Sequence, residues 1–145
     1  MHKVESTLIL TRLYDVSVER LWRAWTDPAE LGRWYVAGAD HVVHFCEADV
    51  RVGGGYRIGF APAGKTPYVE TGTYHEVVPL ERLVFEETVS FEDKVLHTCM
   101  TVVEFRARSA RRAELSVISK GKDSWRTGEG WTPAMESLAR HLGEA

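Results

Sequence analysis

Two glutamates, a histidine and a cysteine sit at spacings that could do chemistry. Glu70, Glu87, His97 and Cys99 each fall at alternate positions of β-type segments, the spacing that sends side chains to one side of a sheet. A carboxyl in an apolar cleft has its pKa raised toward the range useful to a general acid or base. The competing readings are a salt bridge to Arg57 and the wet mouth of a cavity. His44-Phe45-Cys46 and His97-Thr98-Cys99 share one pattern, an imidazole and a thiol two residues apart. Each pair is expected on one strand face, and two such pairs converging would make a tetrahedral zinc site. Lone inward His and Cys are ordinarily packed and satisfied, so no metal is expected. Gly53-Gly54-Gly55 has the look of a phosphate loop, but no Lys-Ser/Thr follows and the next segment is a strand. It is a turn between strands. No GxSxG elbow is present, nor any Ser or Cys in a recognisable nucleophile setting.

The elements that position these residues follow from periodicity. Ser6 to Leu13 is β-rich and loosely alternating, an opening strand. Ser17 stands at a helix N-cap, and Val18, Leu21, Trp22 and Trp25 follow i, i+3, i+4, i+7 behind it. Pro28 ends that helix and opens a second, Ala29 to Trp34, which buries Leu31 and Trp34. From about His41 to Ile118 the period is 2. Strands are expected at His41 to Ala48, Tyr56 to Phe60, Tyr68 to Val78, Leu83 to Phe91, Val95 to Arg106 and Arg112 to Ile118. Ala61 to Gly64 is a turn, and Pro79 to Arg82 and Phe91 to Lys94 are hairpin loops. Short strands on short loops argue an antiparallel meander with one dry and one wet face.

Face assignment follows from the alternation. His97, Cys99, Thr101, Val103 and Phe105 share the core side of the sixth strand, and Leu83, Phe85, Glu87 and Val89 share one side of the fifth. In the fourth, Glu70, Gly72 and Tyr74 oppose Thr71, Thr73 and His75, with the threonines in solvent. Both glutamates therefore land on the dry face. Trp131, Met135, Leu138 and Leu142, at i, i+4, i+7 and i+11, form the apolar stripe of a closing helix. Pro133 sets regular helical bonding near Thr132, with room for looser helix in the Gly128 to Trp131 segment before it. A long helix and a curved sheet bury each other's apolar faces and commonly leave a cleft. Trp131 and Tyr74 would be flat walls of that cleft, or ordinary core. Arg106, Arg108, Arg111 and Arg112 make a basic cluster at the last hairpin, a solvated turn or a docking patch for an acidic partner.

Composition sets the outer limits. The chain has 145 residues, 44% hydrophobic and 27% charged, ordinary values for a single globular domain spanning 1–145. Eighteen Lys and Arg against 21 Asp and Glu give a net charge of −3, which offers no footprint for a phosphate backbone, so nucleic acid is excluded as a partner. No apolar run reaches the length of a membrane span, and Met1 to Glu5 lacks the features of a signal peptide. Two cysteines without a CxxC pair point to a reducing, cytoplasmic setting.

Four motifs, in order, carry a resemblance. Arg20-Leu21-Trp22-Arg23-Ala24-Trp25-Thr26-Asp27-Pro28, with Leu31 and Trp34, is similar to the first signature of the activator-of-heat-shock-protein-90-ATPase homologue family. Asp49-Val50-Arg51-Val52-Gly53-Gly54 resembles the second, and Gly72 through Phe85 the third. Gly130-Trp131 with Leu138 and Leu142 resembles the closing helix. The family belongs to the START-like (SRPBCC) superfamily. The resemblance implies an α+β helix-grip fold: strand, two short helices, six more strands, and a long C-terminal helix gripped by the sheet. It also places strands 2 and 6 far apart, which counts against zinc shared by the two His-Cys pairs. Relatives carry Gly-Thr in the last hairpin where this chain has Arg111-Arg112-Ala113, which leaves that turn type open.

Three functions are carried forward. The leading expectation is a non-enzymatic binder of a small hydrophobic or amphipathic molecule, without cofactor, as monomer or homodimer. Its lining would come from Tyr74, Phe85, Glu70, Glu87, His97, Cys99, Trp131, Met135 and Leu138. The second is a chaperone-associated, stress-response module, a reading weakened because the chain lacks the N-terminal domain of the eukaryotic co-chaperones. The third is a cyclase- or hydrolase-type enzyme using a cavity carboxylate and His97.

Overall fold

The computed structural model describes residues 5–122 and 131–143. The elements run β1 (Glu5–Tyr14), α1 (Val18–Thr26), α2 (Pro28–Trp34), β2 (His41–Ala48), β3 (Gly55–Pro62), β4 (Tyr68–Val78), β5 (Arg82–Phe91), β6 (Lys94–Ser109), β7 (Arg112–Lys122) and α3 (Trp131–His141). This is the α+β helix-grip order. Gly128 to Gly130, read as the approach to the closing helix, lie outside the described residues.

Local chemistry explains the helix pair. Ser17 Oγ accepts from the Arg20 amide at 3.1 Å, and Asp27 Oδ1 accepts from the Ala29 amide at 3.0 Å, so each helix start has its cap. Pro28, at the first turn of α2, gives up no amide that the helix needs. The Trp34 indole donates to the Ala24 carbonyl at 2.8 Å and locks the pair together.

All seven strands form one antiparallel sheet in the order β1-β7-β6-β5-β4-β3-β2. Register shifts interrupt β2/β3, β4/β5, β5/β6 and β6/β7. Bulges bend and twist a sheet, which here curls around the helices. The inward face is the dry one: Tyr74, Phe85, Val89, Cys99 and Val103 are buried, whereas Thr71, Thr73 and His75 are exposed.

Several boundaries and pairings differ from the sequence reading. β6 and β7 run on to Ser109 and Lys122, because each continues to pair across the hairpin and along its partner strand. β3 runs through Pro62, and the turn proper is Ala63-Gly64, with Gly64 at φ 77°. The last hairpin needs no glycine. Ser109 pairs with Arg112, and neither Ala110 nor Arg111 has a positive φ. Its arginines are largely matched by acids: Arg108 meets Glu114 at 2.6 Å, Arg106 meets Glu114 at 3.5 Å, and Arg112 meets Asp15 at 3.7 Å.

α3 lies against the concave side. Trp131, Met135 and Leu138 are buried, as the spacing requires, and Leu142 is half-buried. The Trp131 ring stacks on Trp25, with centroids 6.3 Å apart, and meets Tyr35 edge-on at 6.0 Å. Tyr14 Oη donates to the Met135 carbonyl at 3.2 Å and lies 3.3 Å from its sulfur, tying β1 to α3. At the other end His141 Nε2 lies 2.9 Å from Glu30 Oε1. Among the described residues no helix is long and apolar enough to cross a membrane.

Candidate functional site

Glu70 and Glu87 are both fully buried. Glu70 faces Val89, and Gly72 faces Glu87, so the two acids are diagonal neighbours on the inward side of β4 and β5. Each heads its own polar group.

The first group surrounds Glu70. Tyr35 Oη and Tyr56 Oη both donate to its Oε2, at 2.7 and 2.6 Å. Tyr35 comes from the segment after α2 and Tyr56 from β3. Burial, with the nearby Glu70, Tyr35 and Glu87, pushes the Tyr56 hydroxyl far up, so it remains a proton donor at any ordinary pH. The expected partner Arg57 lies elsewhere. It is exposed on the outer face, its guanidinium carbon 4.4 Å from the Phe45 ring centroid, because alternation along β3 sends it opposite to Tyr56 and Ile58.

An apolar cavity adjoins this group. Trp25, Leu31, Tyr35, Tyr56, Ile58, Tyr74, Leu83 and Phe85 line it, and its volume is about 10 Å³, room for one water. Its helical wall is built by α1, α2 and Tyr35, with Trp131 of α3 backing Trp25 and Tyr35 from behind. Met135 lines a separate cleft of about 120 Å³ between β1 and α3, with Leu10, Thr11, Arg12 and Thr132. Leu138 is fully buried. Burial, then Cys46 and Glu70, push the Tyr74 hydroxyl up.

The second group surrounds Glu87. The Cys99 thiol donates to Glu87 Oε1 at 2.8 Å and the Thr101 hydroxyl to the same oxygen at 2.9 Å. Ser119 Oγ lies 3.1 Å from both Cys99 Sγ and Thr101 Oγ1. With those two protons directed at the carboxylate, Ser119 is the donor to one of them. His97, buried, precedes Cys99 by two residues on β6. Burial and the neighbouring Glu87 push the Cys99 thiol up, so it is held protonated.

The two His-Cys pairs stay apart. β5, β4 and β3 separate β6 from β2. The bulge between Val43 and Phe45 also breaks alternation in β2, leaving His44 exposed while Cys46 turns inward opposite Ile58. His44 and Cys46 therefore do not share a strand face.

Tyr74 and Phe85 thus line the cavity, Glu70 sits behind its tyrosines, and Glu87, His97 and Cys99 form a neighbouring cluster. Tyr35, Tyr56 and Ser119 escaped the sequence reading. Ser119 continues the inward series Ala113, Leu115, Val117 and was legible from a longer β7. Tyr56 heads the inward series with Ile58 and Phe60. Tyr35 follows a helix end, where no period applies.

Known proteins give the context. The structure is similar to that of a Rhizobium leguminosarum protein, with a TM-score of 0.82 at 18% identity over 98% of this chain and 97% of that one. A Chromobacterium violaceum protein is 28% identical, with a TM-score of 0.77, over 96% of this chain and 98% of its own. CalU16 from Micromonospora echinospora superposes with a TM-score of 0.66 at 18% identity, over 98% of this chain and 87% of that one. No curated protein matches the chain. The family model described as Activator of Hsp90 ATPase homolog 1-like protein matches residues 15–143, nearly the whole length. The chain belongs to the activator of Hsp90 ATPase homolog 1-like family, built on the START-like fold.

Proposed function

We propose that the protein binds one small amphipathic molecule on the inward side of its sheet. The observation that carries this reading is a carboxyl group, Glu70, fully buried and held by two tyrosine hydroxyls whose own rings line an apolar cavity. A stable core gains nothing from a buried carboxyl that an apolar side chain would not supply, since its desolvation is costly. A binding site does gain, because a few placed polar groups in an apolar pocket orient the ligand. The apolar body lies among Trp25, Leu31, Ile58, Tyr74, Leu83 and Phe85, and the polar end reaches Tyr35 and Tyr56. At about 10 Å³ the cavity has to widen, by movement of side chains or of the helices, as the molecule enters. Binding without chemistry fits the absence of a nucleophile setting in the sequence.

Native mass spectrometry of the freshly purified chain, set against its denatured mass, is the test. Excess mass that leaves on denaturation supports the reading, and titration with the fluorescent amine N-phenylnaphthylamine gives saturable enhancement. A clean mass together with no saturable enhancement overturns it.

A second reading, contact with a chaperone, draws on the outer face. Ile9, Ile118, Val102 and Val84 stand in register across β1, β7, β6 and β5; Ile9 is 68% exposed and the other three are half-buried. Contiguous exposed apolar side chains mark contact surfaces. Stimulation of a purified Hsp90 ATPase by the wild-type chain, lost in Ile9→Ser, supports this reading.

A further inference from the structure

We propose that Glu87, His97 and Cys99 bind a single divalent transition-metal ion of the class of zinc, iron(II) and cobalt(II). The three residues come from two neighbouring strands and one face. Glu87 stands directly opposite Cys99 across β5 and β6, and His97 lies two positions back on β6. A carboxylate oxygen, an imidazole nitrogen and the sulfur all lie within 4.8 Å of one another, and all three residues are buried. Around a tetrahedral ion with bonds of about 2.0–2.3 Å, neighbouring donors stand roughly 3.5 Å apart. Modest side-chain rotation therefore brings the set to coordination distance, and no strand has to move.

The donor set selects the ion. Mixed nitrogen, sulfur and oxygen ligation suits borderline and soft d-block ions, whereas magnesium and calcium take all-oxygen shells. The hydroxyls around the site hold its ligands in place. Thr101 donates to Glu87 Oε1, and Ser119 lies within hydrogen-bond distance of Cys99 Sγ. Such partners fix the ligands' orientation and tune their donor strength. The surroundings agree, because the buried acidic groups among the described residues are the two glutamates, and no lysine or arginine is buried there to repel a cation. Three protein donors leave a fourth position for water or for a donor atom of a bound molecule.

The binding step balances simply. The Cys99 thiol releases its proton to solvent, the sulfur–metal bond forms, and the hydrated ion gives up a water for each protein donor gained. No electron is transferred. The site is independent of the small-molecule reading, because none of its three ligands lines the aromatic cavity.

The test uses cobalt(II) and the full chain carrying Cys46→Ser, which leaves Cys99 as its one thiol. Stripped of metal and titrated, this protein is expected to develop a thiolate-to-cobalt charge-transfer band in the near ultraviolet. The band saturates at one equivalent and is bleached by zinc. Adding Glu87→Gln or His97→Asn weakens cobalt affinity at least about tenfold. The absence of a charge-transfer band in folded Cys46→Ser protein at large cobalt excess overturns the proposal, as does equal affinity in both added variants. The first outcome is read with all three ligands intact, so a misfolded variant cannot mimic it.

Discussion

The Tyr56 side chain lies across Gly72 on the neighbouring strand, so that any Cβ on Gly72 would collide with the Tyr56 ring and crowd the Glu86 carbonyl. This close approach lets the tyrosine hydroxyl reach Glu70 Oε2. Gly72 therefore shapes the polar end of the candidate site without contributing an atom to it.

Gly72→Ala is expected to destabilise the protein by about 1–3 kcal/mol, the usual cost of overpacking a tight interior. The same change displaces Tyr56 and weakens binding of N-phenylnaphthylamine. Urea unfolding and the fluorescence titration check the two effects separately.

Tyr35→Phe and Tyr56→Phe each remove one donor from Glu70. A typical hydrogen bond contributes about 0.5–1.5 kcal/mol, so each variant is expected to unfold at lower urea. Their effects are expected to be non-additive, because the two hydroxyls share one oxygen. A double-mutant cycle measures the coupling.

Glu30 ties α3 to the helix pair through His141, Arg20 and Arg23. Burial pushes its carboxyl up, but the hydrogen bonds from His141 and Arg20, the Arg20 charge and the Arg23 bond together hold it below the ordinary value. A folded-state value lower than the unfolded one means stability that is present above the unfolded pKa and lost as pH falls through the folded one. Glu30→Gln is expected to cost about 1 kcal/mol near neutrality and to flatten the acid limb of the stability curve below about pH 5. Thermal unfolding across a pH series reads both.

The β5–β6 hairpin turns on Glu92 and Asp93, at φ 48° and 66°. Two consecutive left-handed residues favour Asn-Gly, whereas side chains such as these cost about 1–2 kcal/mol each. Asn at 92 with Gly at 93 is expected to raise the urea midpoint by the equivalent of about 1 kcal/mol without altering ligand binding.

Both thiols are expected to resist modification in the folded state. Burial and then Glu47 push Cys46 up to about 11, and Cys99 is pushed up as well. The thiolate is the reacting form, so at pH 8 an aromatic disulfide reagent titrates neither until denaturant is added. Prompt reaction of the buried Cys99 in native buffer would contradict the structure.

Much of the fold was legible because its cues are local. Ser17 and Pro28 mark helix starts by capping chemistry, and the alternation along β4, β5 and β6 alone sets Glu70, Glu87 and Cys99 inward. The pairing of Glu70 with two tyrosines was not legible, since it joins three separate chain segments and depends on the open space over Gly72. The His44-Cys46 face failed for a local reason: a single bulge reverses alternation, and nothing in the composition of that strand announces it. The cavity wall was assigned to α3 by general architecture, whereas α1 and α2 supply it through Trp25 and Leu31.

The sheet order also governs how the chain assembles. β2 through β7 form successive hairpins, each closing a short loop, but β1 pairs with β7 from Glu5↔Lys122 to Tyr14↔Ala113, across most of the chain. Loop closure on that scale is entropically costly, and such non-local pairing slows folding. During synthesis the first strand must wait for the seventh to emerge from the ribosome. Until then the backbone edge of β1 that meets β7 is unpaired and open to other nascent chains.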